Sequence, residues 1–396
     1  MKLLIASDSY KGSLSTLQVA ASIKEGILKV FSDAQIDFIP IADGGEGTVE
    51  VLITSLGGQY YFKQVMGPNG NTVEAKYGIL ENNTAVIEMA AASGLTLVQE
   101  TEKDIMNATS YGTGQLIQAV LDQGCRKIYL GIGGSATNDG GVGIAKALGV
   151  RFLDRYGEEI GLGAGTLKDL NDIDMSGIDK RIFETEICVM CDVTNPLIGP
   201  NGAANVYGPQ KGATLEQIAR LDENLLHLSI LIQKNLHKEL AWIPGAGAAG
   251  GAGMGLMAFL NAEIVHGIEA VMDVSEIDKR IKWSDMVITG EGKIDSQSVC
   301  GKVIDGLANR AKKYKKPVIA IAGSIGTDIS MVYEKGIDTI EAAVCRPMEL
   351  SLAMEHASDY VSDAAERVMR SVRIGIELQV ADTALHIDTE TDKQIT

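Results

Sequence analysis

Short apolar runs that end in glycine- and acid-rich loops recur along this chain, and at both of its ends they alternate with helical periodicity. Residues 2–6 (KLLIA) close at Ser7-Asp8, and residues 14–30 then place apolar side chains at helical spacing, with Ser13 or Ser15 as N-cap. Residues 36–42 read as a second strand and 47–55 as a second helix. The same grammar returns later, with strands at 286–289, 317–322 and 339–344 and helices at 302–313 and 350–373. Strand–helix alternation of this kind builds a parallel sheet covered by helices.

The middle of the chain reads differently. From 57 to 89, Gly-Gly, Gly-Pro-Asn-Gly and Glu-Asn-Asn separate short alternating runs, the pattern of hairpins. Strands follow at 127–130 and 187–191, and helices at 110–123, 142–148 and 215–235. Residues 244–255 are a Gly/Ala tract, either a connection or a site of close helix packing. The expected fold is two-domain α/β. Residues 1–57 and 262–380, from both chain ends, form a Rossmann-like doubly wound parallel-sheet domain. Residues 58–261 form an inserted mixed α/β domain, and 381–396 a polar tail expected to fray.

Charge narrows the partners. Lys and Arg total 35 against 52 acidic residues, a net charge of -17, which excludes nucleic acid and anionic membrane surfaces. An acidic protein still binds small anions where local cations and backbone N–H groups converge. The cysteines number five, too few and too odd for a disulfide framework. The CxxC at Cys188 and Cys191 lies in an apolar run with no second CxxC and no nearby His, so it reads as buried strand. The five histidines match no metal spacing. The first apolar run is too short for a signal peptide or a membrane span, so a cytoplasmic location is expected. A homodimer is left open.

In parallel α/β sheets, ligands bind beyond the carboxyl ends of the strands. Five strand ends here carry polar, glycine-rich loops, at 8–13, 42–48, 131–141, 191–196 and 289–295. Phosphoryl transfer needs such parts: a backbone cradle, cations, carboxylates and a positioned hydroxyl. Residues 131–141 are the candidate cradle, with Gly133, Gly134, Ser135, Thr137 and Asn138 as its hydrogen-bonding groups. Lys11, Lys211 and Lys293 are candidate phosphate or carboxylate partners. Asp43, Glu46, Asp192, Glu291 and Asp295 are the available carboxylates, and Mg²⁺ needs one or two. Each residue also has a plain reading. Asp8 suits a helix N-cap, Lys11 a solvated loop, Glu46 a helix dipole and Asn195 a turn before Pro196.

A rival fingerprint is present. Gly131–Ala136 fits GxGxxA after a strand, and Asp154 follows about twenty residues on, the arrangement of an NAD-dependent hydroxy-acid dehydrogenase. Against it, Thr137-Asn138-Asp139-Gly140-Gly141 separates the motif from its helix. No GxxxxGK[ST] occurs, which excludes a P-loop kinase.

The ordered motifs settle on one family. Asp8-Ser9-Tyr10-Lys11-Gly12-Ser13, Ala42-Asp43-Gly44-Gly45-Glu46-Gly47-Thr48 and residues 133–141 (GGSATNDGG) resemble the bacterial glycerate kinase family, type 1. So do residues 191–197 (CDVTNPL), 207–213 (YGPQKGA), 247–251 (GAAGG) and 289–297 (TGEGKIDSQ). The resemblance implies ATP-dependent phosphorylation of D-glycerate with Mg²⁺, 2-phosphoglycerate as the favoured product and the 3-hydroxyl as the alternative acceptor. On this reading Asp192, Lys11 and Asp43 are the expected catalytic residues, and Asp8, Ser9, Asn195, Glu291 and Lys293 the expected glycerate contacts. Gly133, Gly134, Ser135, Thr137, Asn138 and Lys211 then hold ATP, and Asp192, Glu46 and Asp295 the metal. Departures are mild: Tyr10, Lys293 and Ser298 stand where Phe, Arg and Thr are expected. At a phosphate contact, Lys293 trades a bidentate fork for a point charge.

Overall fold

The computed structural model describes residues 1–10, 12–39, 47–295 and 303–393, with side chains at all of these except 303 and 379–393. In chain order the strands among them are β1 (Lys2–Ile5), β2 (Gln35–Phe38), β3 (Gly58–Met66), β4 (Thr72–Leu80), β5 (Thr84–Glu88), β6 (Lys127–Gly131) and β7 (Arg151–Leu153). They continue with β8 (Asp172–Asp174), β9 (Glu186–Met190), β10 (Glu263–Val265), β11 (Met286–Ile294), β12 (Val318–Ile325) and β13 (Thr339–Ala342). The chain is mixed α/β and divides into two compact units, residues 1–41 with 272–396, and residues 42–271.

The first unit, made from both chain ends, is the doubly wound parallel sheet. Its strand order is β13-β12-β11-β1-β2, and every pairing is parallel. The strands are apolar because helices cover both faces: Leu3, Leu4, Ile5, Val287, Ile288 and Ile321 are fully buried. The helix Thr16–Leu28 starts at a capping box in which Ser15 and Gln18 satisfy each other's backbone N–H. It buries Val19, Ile23 and Ile27, each worth ~1.5–3 kcal/mol. At Gly26 it meets the helix Ala357–Lys393 so closely that a Cβ would lie 2.1 Å from the Ser362 carbonyl oxygen. That second helix runs on to Lys393, into the segment read from the sequence as a frayed tail.

The second unit holds a six-stranded sheet, β10-β9-β6-β5-β4-β3. Its β10, β9, β6 and β5 run parallel, while β5-β4-β3 form the antiparallel meander expected from the turn residues. The helix Leu215–Leu236 begins at a Thr214–Gln217 capping box and packs Ile218, Leu221, Leu225, Leu228 and Ile232 inward.

The unit boundaries fall at 41/42 and 271/272, not at 57/58 and 261/262. Composition changes at Gly57, but packing has already changed before it. Val49 of the helix Thr48–Leu56 donates its N–H to Glu88 Oε1 at 2.8 Å, and Ile53 fills the space beside Gly78. At the other end, β10 pairs with β9 and draws residues 262–271 into the second unit.

Candidate active site

β6 ends at Gly131, and the chain loops to Gly141 before the helix Val142–Ala147 begins. Gly134, Gly140 and Gly141 take φ of 69°, 63° and 76°, the left-handed region that glycine enters without strain. The loop folds around Asp139, which has no exposed surface. Asp139 Oδ2 accepts from Ser110 N and Ser110 Oγ, both at 2.8 Å, and from Gly143 N at 3.2 Å; Oδ1 accepts from Gly141 N at 3.2 Å. Burial pushes the Asp139 carboxyl above its ordinary range, and these bonds oppose the shift.

Lys211 ends the single turn Pro209–Lys211 and is buried. Its Nζ donates to Ser135 Oγ at 2.9 Å and to the Thr137 carbonyl at 2.7 Å. Two of three donors are thus spent on the loop. Burial pulls the Lys211 ammonium down to about 7, against the opposing charge of Asp139.

The Gly/Ala tract locks two strand-end loops together. Ala249, Gly250 and Gly251 interrupt the helix Ala248–Leu260 with left-handed backbone. Gly140 N donates to Gly250 O at 3.0 Å, and Gly247 N donates to Asn195 O at 3.0 Å. Ala249, at φ 52°, carries a strain of ~1–2 kcal/mol that this packing must offset.

These pieces wall a cavity of about 290 Å³, in which Gly133, Gly134, Ser135, Asp192, Tyr207 and Lys211 converge. Asp192 follows β9 and is partly exposed; its Oδ1 accepts from Gly267 N at 3.0 Å, with His266 Nδ1 at 3.6 Å. Tyr207 donates its hydroxyl to Asn195 Oδ1 at 2.6 Å, which connects Asn195 to the wall. Thr137 and Asn138 are fully buried and are not among the lining residues. Thr137 takes part through its carbonyl, while its Oγ1 and both amide atoms of Asn138 have no partner.

The remaining candidates belong to the other unit or fall outside the described residues. Asp8 and Ser9 follow β1, and Glu291 and Lys293 lie on β11, the two strands that flank the switch point of the parallel sheet. Asp8 N donates to Gly290 O at 3.0 Å, Asp8 Oδ1 accepts from Ser9 N at 2.6 Å, and Lys293 Nζ pairs with Asp295 Oδ2 at 2.8 Å. Lys11, Asp43 and Glu46 lie outside the described residues. Among the described residues no three His, Cys, Asp or Glu side chains gather to hold a metal. Among the described residues Asp192 is the one carboxylate lining the cavity, a donor set that fits Mg²⁺ bound mainly through phosphate oxygens and water. Nothing in the local sequence singles out Ser110, Ala248 or Ala249; Ser110 lies 29 residues from Asp139, beyond any local pattern.

The dinucleotide reading fails on topology. Arg151–Leu153 does not join the parallel sheet; it pairs antiparallel with β8 in a two-stranded sheet of its own. Asp154 Oδ1 accepts from Tyr156 N and Glu158 N and closes a turn there.

A buried ammonium, a hydroxyl and glycine backbone beside a carboxylate make a site suited to a phosphorylated ligand. Comparison with known proteins agrees. Residues 3–373 match the model of the glycerate kinase family. The chain is 49% identical over 377 residues to glycerate 2-kinase of Escherichia coli (strain K12), covering 95% of this chain and 99% of that protein. It is 50% identical over 367 residues to glycerate kinase of Halalkalibacterium halodurans, covering 92% and 97%. A crystal structure provisionally assigned as glycerate kinase 2 from Salmonella typhimurium LT2 superposes with a TM-score of 0.86 at 46% identity, covering 95% of this chain and 99% of that one. The chain belongs to the glycerate kinase family and is therefore an enzyme, a kinase with ATP as its phosphate donor. Among the described residues, no helix is long and apolar enough to cross a membrane.

Proposed function

We propose that the enzyme transfers the γ-phosphoryl group of ATP to the 2-hydroxyl of D-glycerate, giving 2-phosphoglycerate and ADP, within organic-acid catabolism in the cytoplasm. The observation that carries this reading is Lys211, an ammonium held inside a cavity by Ser135 and Thr137, with Asp192 on the same wall. Lys211, Ser135 and the N–H groups of Gly133 and Gly134 bind phosphate oxygens, where a desolvated cation is worth more than in water. Thr137 and Asn138 support that cradle from behind. Asp192 orients the acceptor hydroxyl and takes its proton as oxygen bonds to the γ-phosphorus and the bond to the ADP oxygen breaks. Asp8, Ser9, Asn195, Glu291 and Lys293 recognise the acid, with Lys11 and Asp43 assisting the transfer. Asp192, Glu46 and Asp295 would hold Mg²⁺, which, when bound, neutralises charge on the phosphates.

Proton-coupled phosphorus NMR of the product tests the site of transfer. Phosphate on the 2-oxygen couples to one carbon-bound proton and gives a doublet; on the 3-oxygen it couples to two and gives a triplet. A triplet would move the assignment to the 3-hydroxyl, and no ADP release with glycerate would remove the kinase reading.

A further inference from the structure

We propose that Asp139 is a positioning residue of the phosphate site, acting through Lys211 and through the loop it ties down. It rests on the reading of Lys211 as a phosphate ligand. Asp139 is fully buried, lies behind the cavity wall and is not among the lining residues. Its two oxygens accept four hydrogen bonds, all from uncharged donors: the N–H and hydroxyl of Ser110 and the N–H groups of Gly141 and Gly143. Among the described residues, no Lys or Arg pairs with it at salt-bridge distance, so its charge is not consumed locally. Lys211 sits on the same loop's carbonyl, two residues upstream at Thr137.

The pairing accounts for two things at once. A lysine buried this fully favours its neutral form, and a neutral amine is a poor phosphate ligand. Asp139 is the charge that opposes this, and it does so without taking the third Lys211 donor from the ligand. A direct salt bridge would have spent that donor. Among the described residues, the other titratable groups on the cavity walls are Cys191, Asp192 and Tyr207, and of these only Asp192 is a carboxylate. Four donors aimed at one side chain also require an acceptor on every side, which the amide of Asn would not supply.

The test measures ATP affinity by calorimetry from pH 5.5 to 9, with glycerate omitted so that no turnover intrudes, in the full-length chain. In the wild type, affinity weakens as pH rises and Lys211 loses its proton. Asp139→Asn should move that alkaline limb to lower pH by on the order of one unit. Ser110→Ala is a milder change that leaves the carboxylate in place; it removes one bond that favours the Asp139 carboxylate, and the acceptor of the Ile144 N–H, and should move the limb in the same direction by less. If Asp139→Asn does not fold, Ser110→Ala alone decides. A fall in melting temperature with the limb unmoved in the variants that fold would show Asp139 to be purely structural and overturn the proposal. A wild type that fails to bind ATP would instead sink the reading of the site itself.

Discussion

A methyl group on Gly250 would stand 2.0 Å from the carbonyl oxygen of Thr137. That carbonyl also accepts from Lys211, so the tract and the phosphate loop share one atom as a meeting point. Gly250→Ala must therefore push the loop away, on top of the cost of a side chain at φ 68°. Gly124→Ala is the control: its φ is 83° and nothing lies within 4 Å of the new methyl. Gly124→Ala should cost ~1–2 kcal/mol with unchanged kinetics. Gly250→Ala should lose more stability and at least about tenfold in kcat/KM, since displacing a bound-geometry loop by an ångström costs that much or more. Thermal melts and steady-state assays of both variants check this; equal behaviour would show the contact to be slack.

The state of Lys211 sets an alkaline limit. kcat/KM reports the free enzyme, so it should fall as pH rises through about 7, where the buried ammonium deprotonates. Bound phosphate favours the charged form, so the limb in kcat should lie at higher pH. A pH–rate series with ATP varied measures both, and coincident limbs would separate Lys211 from phosphate binding.

The same lysine costs stability, and the sign follows from its depressed value. In the unfolded chain lysine stays charged to about its ordinary 10.5, while in the fold it is charged only below about 7. At pH 6 the fold carries the full penalty, on the order of a few kcal/mol at ~1.4 kcal/mol per unit. Between 7 and 10 the penalty shrinks. Lys211→Met should thus gain more in melting temperature, relative to wild type, at pH 6 than at pH 9, while losing ATP binding. Scanning calorimetry at the two pH values checks the difference.

Asp192→Asn keeps the shape and the acceptance from Gly267 N–H but removes the proton acceptor. As general base its loss should lower kcat by ~10²-fold or more. Wild-type turnover in this variant would remove Asp192 from the proton transfer.

The thiols should follow burial. Burial pushes Cys188 up to about 11 and also raises Cys125 and Cys191, whereas Cys345 is exposed. An alkylating reagent at pH 8 should modify Cys345 well before those three, as peptide mapping would show. Early modification of Cys188 or Cys191 would contradict the reading of the CxxC as buried strand.

Much of the fold is legible because parallel strands buried on two faces leave continuous apolar runs, as in Leu3-Leu4-Ile5 and Val318–Ile321. The β3–β4 turn is equally open to reading, since Gly67-Pro68-Asn69-Gly70 supplies Gly70 at φ 82°. Asp154 misleads because its distance from the glycine motif does not say which strand leads to it; β7, just before it, pairs with β8. The site is less legible than the sheet. Glycine and acid at strand ends locate the loops, but Lys211 meets Ser135 across 76 residues and Asp139 meets Ser110 across 29. No local spacing encodes such pairs. Nor does anything local announce that Ala249 takes a left-handed backbone, since alanine favours a helix.

The split first unit has a consequence in time. β1 sits between β2 and β11, and the helix Thr16–Leu28 packs on the helix Ala357–Lys393. Residues 42–271 form one uninterrupted stretch and are synthesised before β11 exists. At ~5–20 residues per second, the ribosome needs roughly ten to fifty seconds to make them. For that interval β1 lacks its inner neighbour, and Val19, Ile23 and Ile27 lack their cover. The segment of β1 and the helix Thr16–Leu28 thus waits with its apolar face uncovered, tethered to a folding neighbour, until β11 is made and the sheet can close.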